Sequence, residues 1–300
     1  MRPHRRQFLA GAAALGLALP GAAQSRTLVA APARQNLAGP GHPDTEVWAY
    51  DGQVPGPVLR FRQGQRLALR LDNRLPEPTT IHWHGLRLPI DMDGVPGISQ
   101  PSVAPGAAFD YAFDLKDAGT YWYHPHANSG AQLGRGLAGA LIVDEAVPVS
   151  GFSRDVVWLL QDFRLERSGA IRADFGNRHD ASHDGRLGNT VTLNGSVVER
   201  FAVAPGERIR LRLINAANAR IFTLDFEDLP ATAIALDGHP VEPHRPQDQV
   251  VELGPGQRVD LALDIAMRPG ERRAVIDRFR PREAWRLVDL DASLAPVPPP

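Results

Sequence analysis

The chain has 300 residues, with 33 Lys and Arg against 34 Asp and Glu and no cysteine. A net charge of −1 excludes a broad basic surface for nucleic acid, and the missing thiols exclude disulfides, thiolate metal sites, thiol catalysis and a blue-copper centre. Glycine and proline, 28 and 27 residues, predict many turns and short strands rather than long helices.

Residues 1–23 read as an export signal. Arg5-Arg6 precede Phe8-Leu9 and an apolar, alanine-rich run to Leu19, and Pro20-Gly21-Ala22-Ala23 offers small residues for cleavage. The paired arginines point to the twin-arginine route and so to a periplasmic or secreted location. The apolar run is too short to span a bilayer, and no later segment is long and apolar enough, so no membrane span is expected.

The body is written as short alternating segments. Arg66 to Asp72 places Leu67, Leu69 and Leu71 on one face of a strand and polar groups on the other; Arg208 to Leu213 does the same. Such segments, bounded by Gly and Pro, predict half-buried strands. The two also align with each other, Gly64–Asn73 on Gly206–Asn215, at an offset of 142 residues. A second match aligns Pro105–Asp114 with Pro255–Asp264 at an offset of 150, in the same order. Two such matches predict tandem copies of one all-β sandwich. The copies are expected over residues 46–146 and 152–291, with little helix and the boundary near Val147 to Phe152. Residues 292–300 read as a proline-rich linker or tail.

The chemistry sits in the first copy. Ile81-His82-Trp83-His84-Gly85 is a His-x-His pair, and residues i and i+2 of a strand share a face. Tyr121-Trp122-Tyr123-His124-Pro125-His126 repeats the device. Pro125 cannot donate to a ladder, so this second pair is expected at a strand end or bulge. On neighbouring strands the two pairs would bring four imidazoles together, and neutral imidazole suits copper, zinc, iron and nickel. At the repeat offsets, His82 and His84 fall on Leu224 and Phe226, and His124 and His126 on Ala274 and Ile276. The fold does not call for histidine at these places, which favours ligation over packing.

The remaining candidates are weaker. Asp93-Gly94 follows the first pair; its carboxylate suits proton delivery near a metal–oxygen centre, but Asp-Gly is also a common turn. His179 and His183 are spaced for one helical turn, yet nearby Gly and Asn argue against a stable helix there. His42 lies in a Gly/Pro-rich lead-in and His239 in a turn signal. None of these four histidines is assigned to a metal.

With these motifs in view, the chain resembles the N-terminal part of a laccase-like multicopper oxidase, from about Glu46 to Leu290. The resemblance rests on Thr80–Gly85, Tyr121–His126, Gly136–Val143 and Val54-Pro55-Gly56-Pro57. It implies cupredoxin-like Greek-key sandwiches and a trinuclear copper cluster shared with a third domain. By that resemblance His82 would bind the type 2 copper, and His84, His124 and His126 the type 3 pair. Asp93 would help protonate dioxygen as it is reduced to water, with electrons drawn from a phenolic or metal-ion donor.

The family's third domain supplies four more cluster histidines and a cysteine-bearing type 1 site. None of these residues is in the 300, so the expectation is half a cluster and, for this chain alone, little or no turnover. Two other readings stand beside the oxidase: a non-enzymatic periplasmic copper-binding protein, and a metal-free scaffold of the same fold.

Overall fold

The computed structural model describes residues 26–293. The export signal expected over residues 1–23 and residues 294–300 of the expected tail lie outside the described residues, while Ala292, expected at the start of the tail, is buried in the second core. The first unit is built of β1 (Arg26–Gln35), β2 (Thr45–Tyr50), β3 (Gly56–Arg62), β4 (Arg66–Asn73), β5 (His82–His84), β6 (Ala108–Asp114), β7 (Gly119–His124), the short helix α1 (Ser129–Gly134) and β8 (Gly139–Asp144). The second continues with β9 (Arg154–Phe163), the short helix α2 (Arg178–Ser182), β10 (Thr190–Leu193), β11 (Arg200–Ala202), β12 (Arg208–Asn215), β13 (Phe222–Asp225), β14 (Ala231–Leu236) and β15 (His239–His244). It closes with β16 (Val250–Leu253), β17 (Arg258–Asp264), β18 (Arg272–Asp277) and β19 (Trp285–Asp291).

Each unit is a sandwich of two sheets. In the first, β2-β1-β4-β6 packs on β3-β8-β7-β5; in the second, β10-β9-β12-β17-β14-β15 packs on β11-β19-β18-β13-β16. The duplication extends to strand direction. β1 runs parallel to β4 as β9 does to β12, and β4 is antiparallel to β6 as β12 is to β17. Both units are cupredoxin-like β-sandwiches. Their cores follow the strand alternation: Leu67, Leu69, Leu71, Trp83, Tyr111 and Tyr121 fill the first, and Trp158, Ile209, Leu211, Leu213, Phe222 and Leu261 the second. Among the described residues no helix is long and apolar enough to cross a membrane.

Three features depart from the sequence reading. The first sheet includes β1, which pairs with β2 through Ala30–Gln35 and with β4 through Arg26–Ala30, so the first unit begins by Arg26 rather than at residue 46. The segment around His179 and His183 forms a five-residue helix, because the Asn177 side chain accepts from the Asp180 backbone and caps it. Finally, β12 is buried on both faces, with Arg210 and Arg212 6 % and 0 % exposed. Its polar face meets the first unit instead of solvent.

That junction orients the two units. Thr120 of β7 donates to Asp260 at 2.5 Å, and Arg212 reaches Thr120 Oγ1 at 2.8 Å and Asp155 at 2.7 and 2.8 Å. An apolar patch of Trp122, Ala138 and Ala140 against Leu159, Ile214 and Ala216 lies beside this polar network.

Candidate metal centre

β5 pairs with β7 in antiparallel register, His82 opposite His124 and His84 opposite Trp122. Side chains alternate along β7, so Tyr121 and Tyr123 enter the first core while Thr120, Trp122 and His124 face the second unit. The cross-strand register puts His82 and His84 on that same outer face. β7 ends at His124, ahead of Pro125. His126 lies just past the strand end, exposed, with its backbone N–H donating to Thr80 Oγ1 at 3.1 Å.

The four rings are brought together. His82 lies 5.7, 5.3 and 5.3 Å, centroid to centroid, from His84, His124 and His126. Nitrogen atoms of His82, His84 and His124 fall within 4.8 Å of one another. His84 Nδ1 and His124 Nε2 face each other at 3.3 Å.

Hydrogen bonds fix which nitrogens can act as ligands. His82 Nδ1 lies 2.8 Å from the Asp93 carbonyl oxygen, and His124 Nδ1 lies 3.0 Å from the Pro125 carbonyl. A carbonyl only accepts, so both Nδ1 atoms carry the proton and both Nε2 atoms present a lone pair. The Asp93 carboxylate also stands 3.3 Å from His82 Nδ1. Gly94 makes this approach possible: its φ is +77°, and a β-carbon there would overlap the Ile81 carbonyl.

The surroundings keep His84 and His124 neutral. Burial, helped by the positive Arg258 and by His82, pushes His84 down to about 4. Burial likewise pushes His124 down to about 3, against the opposing bond to Pro125. Trp122 stacks on His124 at 4.2 Å and lies 5.0 Å from His84. From the second unit, Arg258 donates to the carbonyls of Thr120, Gly256 and Asp237 at 3.2, 2.9 and 2.9 Å, and the Gly256 backbone rests against His84. Convergent, pre-oriented imidazoles with no thiolate make a donor set suited to copper.

Trp122, Gly256 and Arg258 are absent from the sequence-derived site. Trp122 shares strand parity with His124, which was the available signal. Gly256 was visible only as part of a repeat, and Arg258 as a polar position on a strand.

The second unit has no equivalent cluster among the described residues. Leu224 pairs there with Asp277, so Asp277, not Ala274, corresponds to His124. The offset fails because seven residues (265–271) join β17 to β18 where four (115–118) join β6 to β7. Asp277 is a buried carboxylate that accepts from the Thr223 and Phe279 backbones, both at 3.1 Å. The second copy is therefore apolar at the first histidine pair's positions but not at this one.

Two tandem cupredoxin-like sandwiches with imidazoles gathered on the first define a protein of the copper-oxidase class. The chain belongs to the multicopper oxidase family: two family models, both described as multicopper oxidase, match residues 33–147 and 154–272. Copper resistance protein A of Escherichia coli is 33% identical over 237 residues, covering 64% of this chain and 39% of that protein. Multicopper oxidase mco of Staphylococcus epidermidis is 30% identical, covering 76% of this chain and 51% of its own length. The crystal structure of a multi-copper oxidase from Pseudomonas thermotolerans matches with a TM-score of 0.82 at 41% identity, over 92% of this chain and 66% of that one. The chain thus spans about half or less of these curated relatives.

Proposed function

We propose that this chain is the N-terminal part of a copper-dependent oxidase that couples one-electron oxidation of a substrate to reduction of dioxygen to water. His82, His84, His124 and His126 would hold half of its trinuclear copper site, His82 at the type 2 position and the other three at the type 3 pair. The observation that carries this reading is the facing of His84 Nδ1 and His124 Nε2 at 3.3 Å between neutral rings.

Copper bound there supplies one-electron redox chemistry toward dioxygen. The chain's own residues set the stage. Asp93 holds the His82 ring through its carbonyl, and its partly exposed carboxylate can pass a proton inward from solvent. Trp122 and the Gly256 loop limit water around His84 and His124. The remaining cluster ligands and the electron-entry site would come from a third cupredoxin domain, in the same polypeptide or a partner. The electron donor would be a phenol or a metal ion, and a twin-arginine-like leader at residues 1–23 would send the protein to the periplasm or outside the cell.

The test is to load the full chain with copper, then record the visible spectrum and oxygen uptake with a phenol. Bound copper, no strong blue band and negligible turnover are expected. An absence of bound copper favours the metal-free scaffold. Substantial oxygen reduction by this chain, lost on His124→Ala, contradicts the half-site reading.

A further inference from the structure

The helix α2 and the residue that follows it carry a histidine pair, His179 within the helix and His183 just past its end. The helix is only five residues long, a length that propensity does not sustain, yet it is anchored. Asn177 Oδ1 accepts from the Asp180 backbone at 2.9 Å, and Asn177 Nδ2 donates to the Asp180 carboxylate at 2.7 Å and the Asp174 carbonyl at 2.8 Å. Arg164 grips Asp180 with two bonds of 2.9 and 3.0 Å. On this anchored turn His179 and His183 are both exposed, with rings stacked at 4.3 Å and an interplanar angle of 25°.

The tautomer of one ring is set. His183 Nδ1 lies 3.1 Å from the His179 carbonyl and 3.0 Å from Ser182 Oγ. The carbonyl only accepts, so Nδ1 holds the proton and Nε2 presents its lone pair to solvent, as in an oriented metal-binding imidazole.

We propose that His179 and His183 form a second metal site, a solvent-facing bis-imidazole chelate for a divalent transition ion, with copper(II) preferred. The preference follows from the donors: two imidazoles rank copper(II) above nickel(II), cobalt(II) and zinc(II). The neighbouring carboxylates are already engaged, Asp174 and Asp180 with Arg164 and Arg186 and Asp184 with Arg280. Water therefore completes the coordination, and hard oxygen-seeking ions such as magnesium gain nothing there. Binding splays the stack: the His179 ring turns until its in-plane lone pair meets an ion held at His183 Nε2, while the His183 ring keeps its Nδ1 bond to the His179 carbonyl. The backbone stays fixed because Asn177 and Arg164 hold it, which reduces the ordering required on binding. This site depends neither on the first-unit cluster nor on the oxidase reading.

The experiment titrates the full chain, carrying no histidine tag, with copper(II) alone and follows calorimetry and electron paramagnetic resonance. The wild type is expected to bind one equivalent more than His179→Ala or His183→Ala, with unchanged thermal stability in both variants. In parallel, copper(II) added beyond the equivalents that fill the first-unit cluster should broaden the ring-proton resonances of His179 and His183 in the wild type, which decides the matter even if a variant folds poorly. Equal stoichiometry in wild type and variants, or His179 and His183 resonances that stay sharp after the first-unit cluster is filled, overturns the proposal.

Discussion

Arg212 pairs with Asp260 across β12 and β17, Nη1 to Oδ2 at 3.1 Å, with both side chains at most 1 % exposed. The duplication repeats this pair in the first unit as Arg70 and Asp110, at 2.6 Å but 49 % and 65 % exposed. Sequence position and cross-strand register are equivalent; only the environment differs. Arg212→Ala also removes two bonds to Asp155, and although Arg210 stays 2.8 Å from Asp260 the buried network loses a positive charge, so the protein should be destabilised by about 3 kcal/mol. Arg70→Ala should change stability by no more than about 1 kcal/mol, as solvent screens the exposed pair. Denaturant unfolding of both variants checks this, and equal losses would refute the assignment of β12 to a buried junction.

Gly256 and Gly106 offer a second matched comparison. Both follow a proline at equivalent repeat positions, with φ of +83° and +75°. A β-carbon at Gly106 meets nothing within 4 Å, whereas at Gly256 it would stand 3.0 Å from His84 Cε1 and 3.3 Å from Nε2. Gly106→Ala should therefore show only the backbone penalty of a left-handed residue, about 1–2 kcal/mol. Gly256→Ala should add displacement of the His84 ring and weaken copper binding. Copper affinity of both variants reads the difference; equal affinity would mean that the second unit does not seat His84.

The apo protein should lose stability in mild acid. An unfolded histidine titrates near about 6.5, whereas His84 and His124 are pushed down to about 4 and about 3 in the fold. Between those values the unfolded chain binds more protons, so folding is favoured as pH rises and weakened as pH falls from about 6.5. The slope is at most about 1.4 kcal/mol per pH unit for each ring. Melting temperatures recorded from neutral to pH ~4.5 should fall less steeply for His124→Phe than for wild type. Parallel curves would show that burial does not hold His124 neutral.

Much of this arrangement was legible before any coordinates. Alternation marked β4, β6, β12 and β17, and the paired matches marked the duplication, because a strand's side-chain period and its Pro-Gly turns are local properties. The His-x-His pairs were legible for the same reason. What packs on a strand's outer face is not local: Arg212 reads like Arg70 until the other unit covers it. Gly256 and Arg258 lie more than 130 residues from His124, and no spacing rule ties them to it. Loop length also shifts register unseen, which is why Asp277 rather than Ala274 lies opposite Leu224. The α2 helix was hidden because its stability comes from Asn177 and Arg164, not from propensity.

On this reading the first-unit imidazoles hold copper through particular nitrogens. Nitrogen-15 NMR of the histidine-labelled full chain, with and without copper(I), tests it most directly, since copper(I) is diamagnetic and ring-nitrogen shifts report tautomer and ligation. Nε2 of His82 and His124 and one ring nitrogen of His84 are expected to move to metal-bound values, while Nδ1 of His82 and His124 stays protonated toward Asp93 and Pro125. Unchanged shifts at all three rings in the presence of bound copper would contradict it.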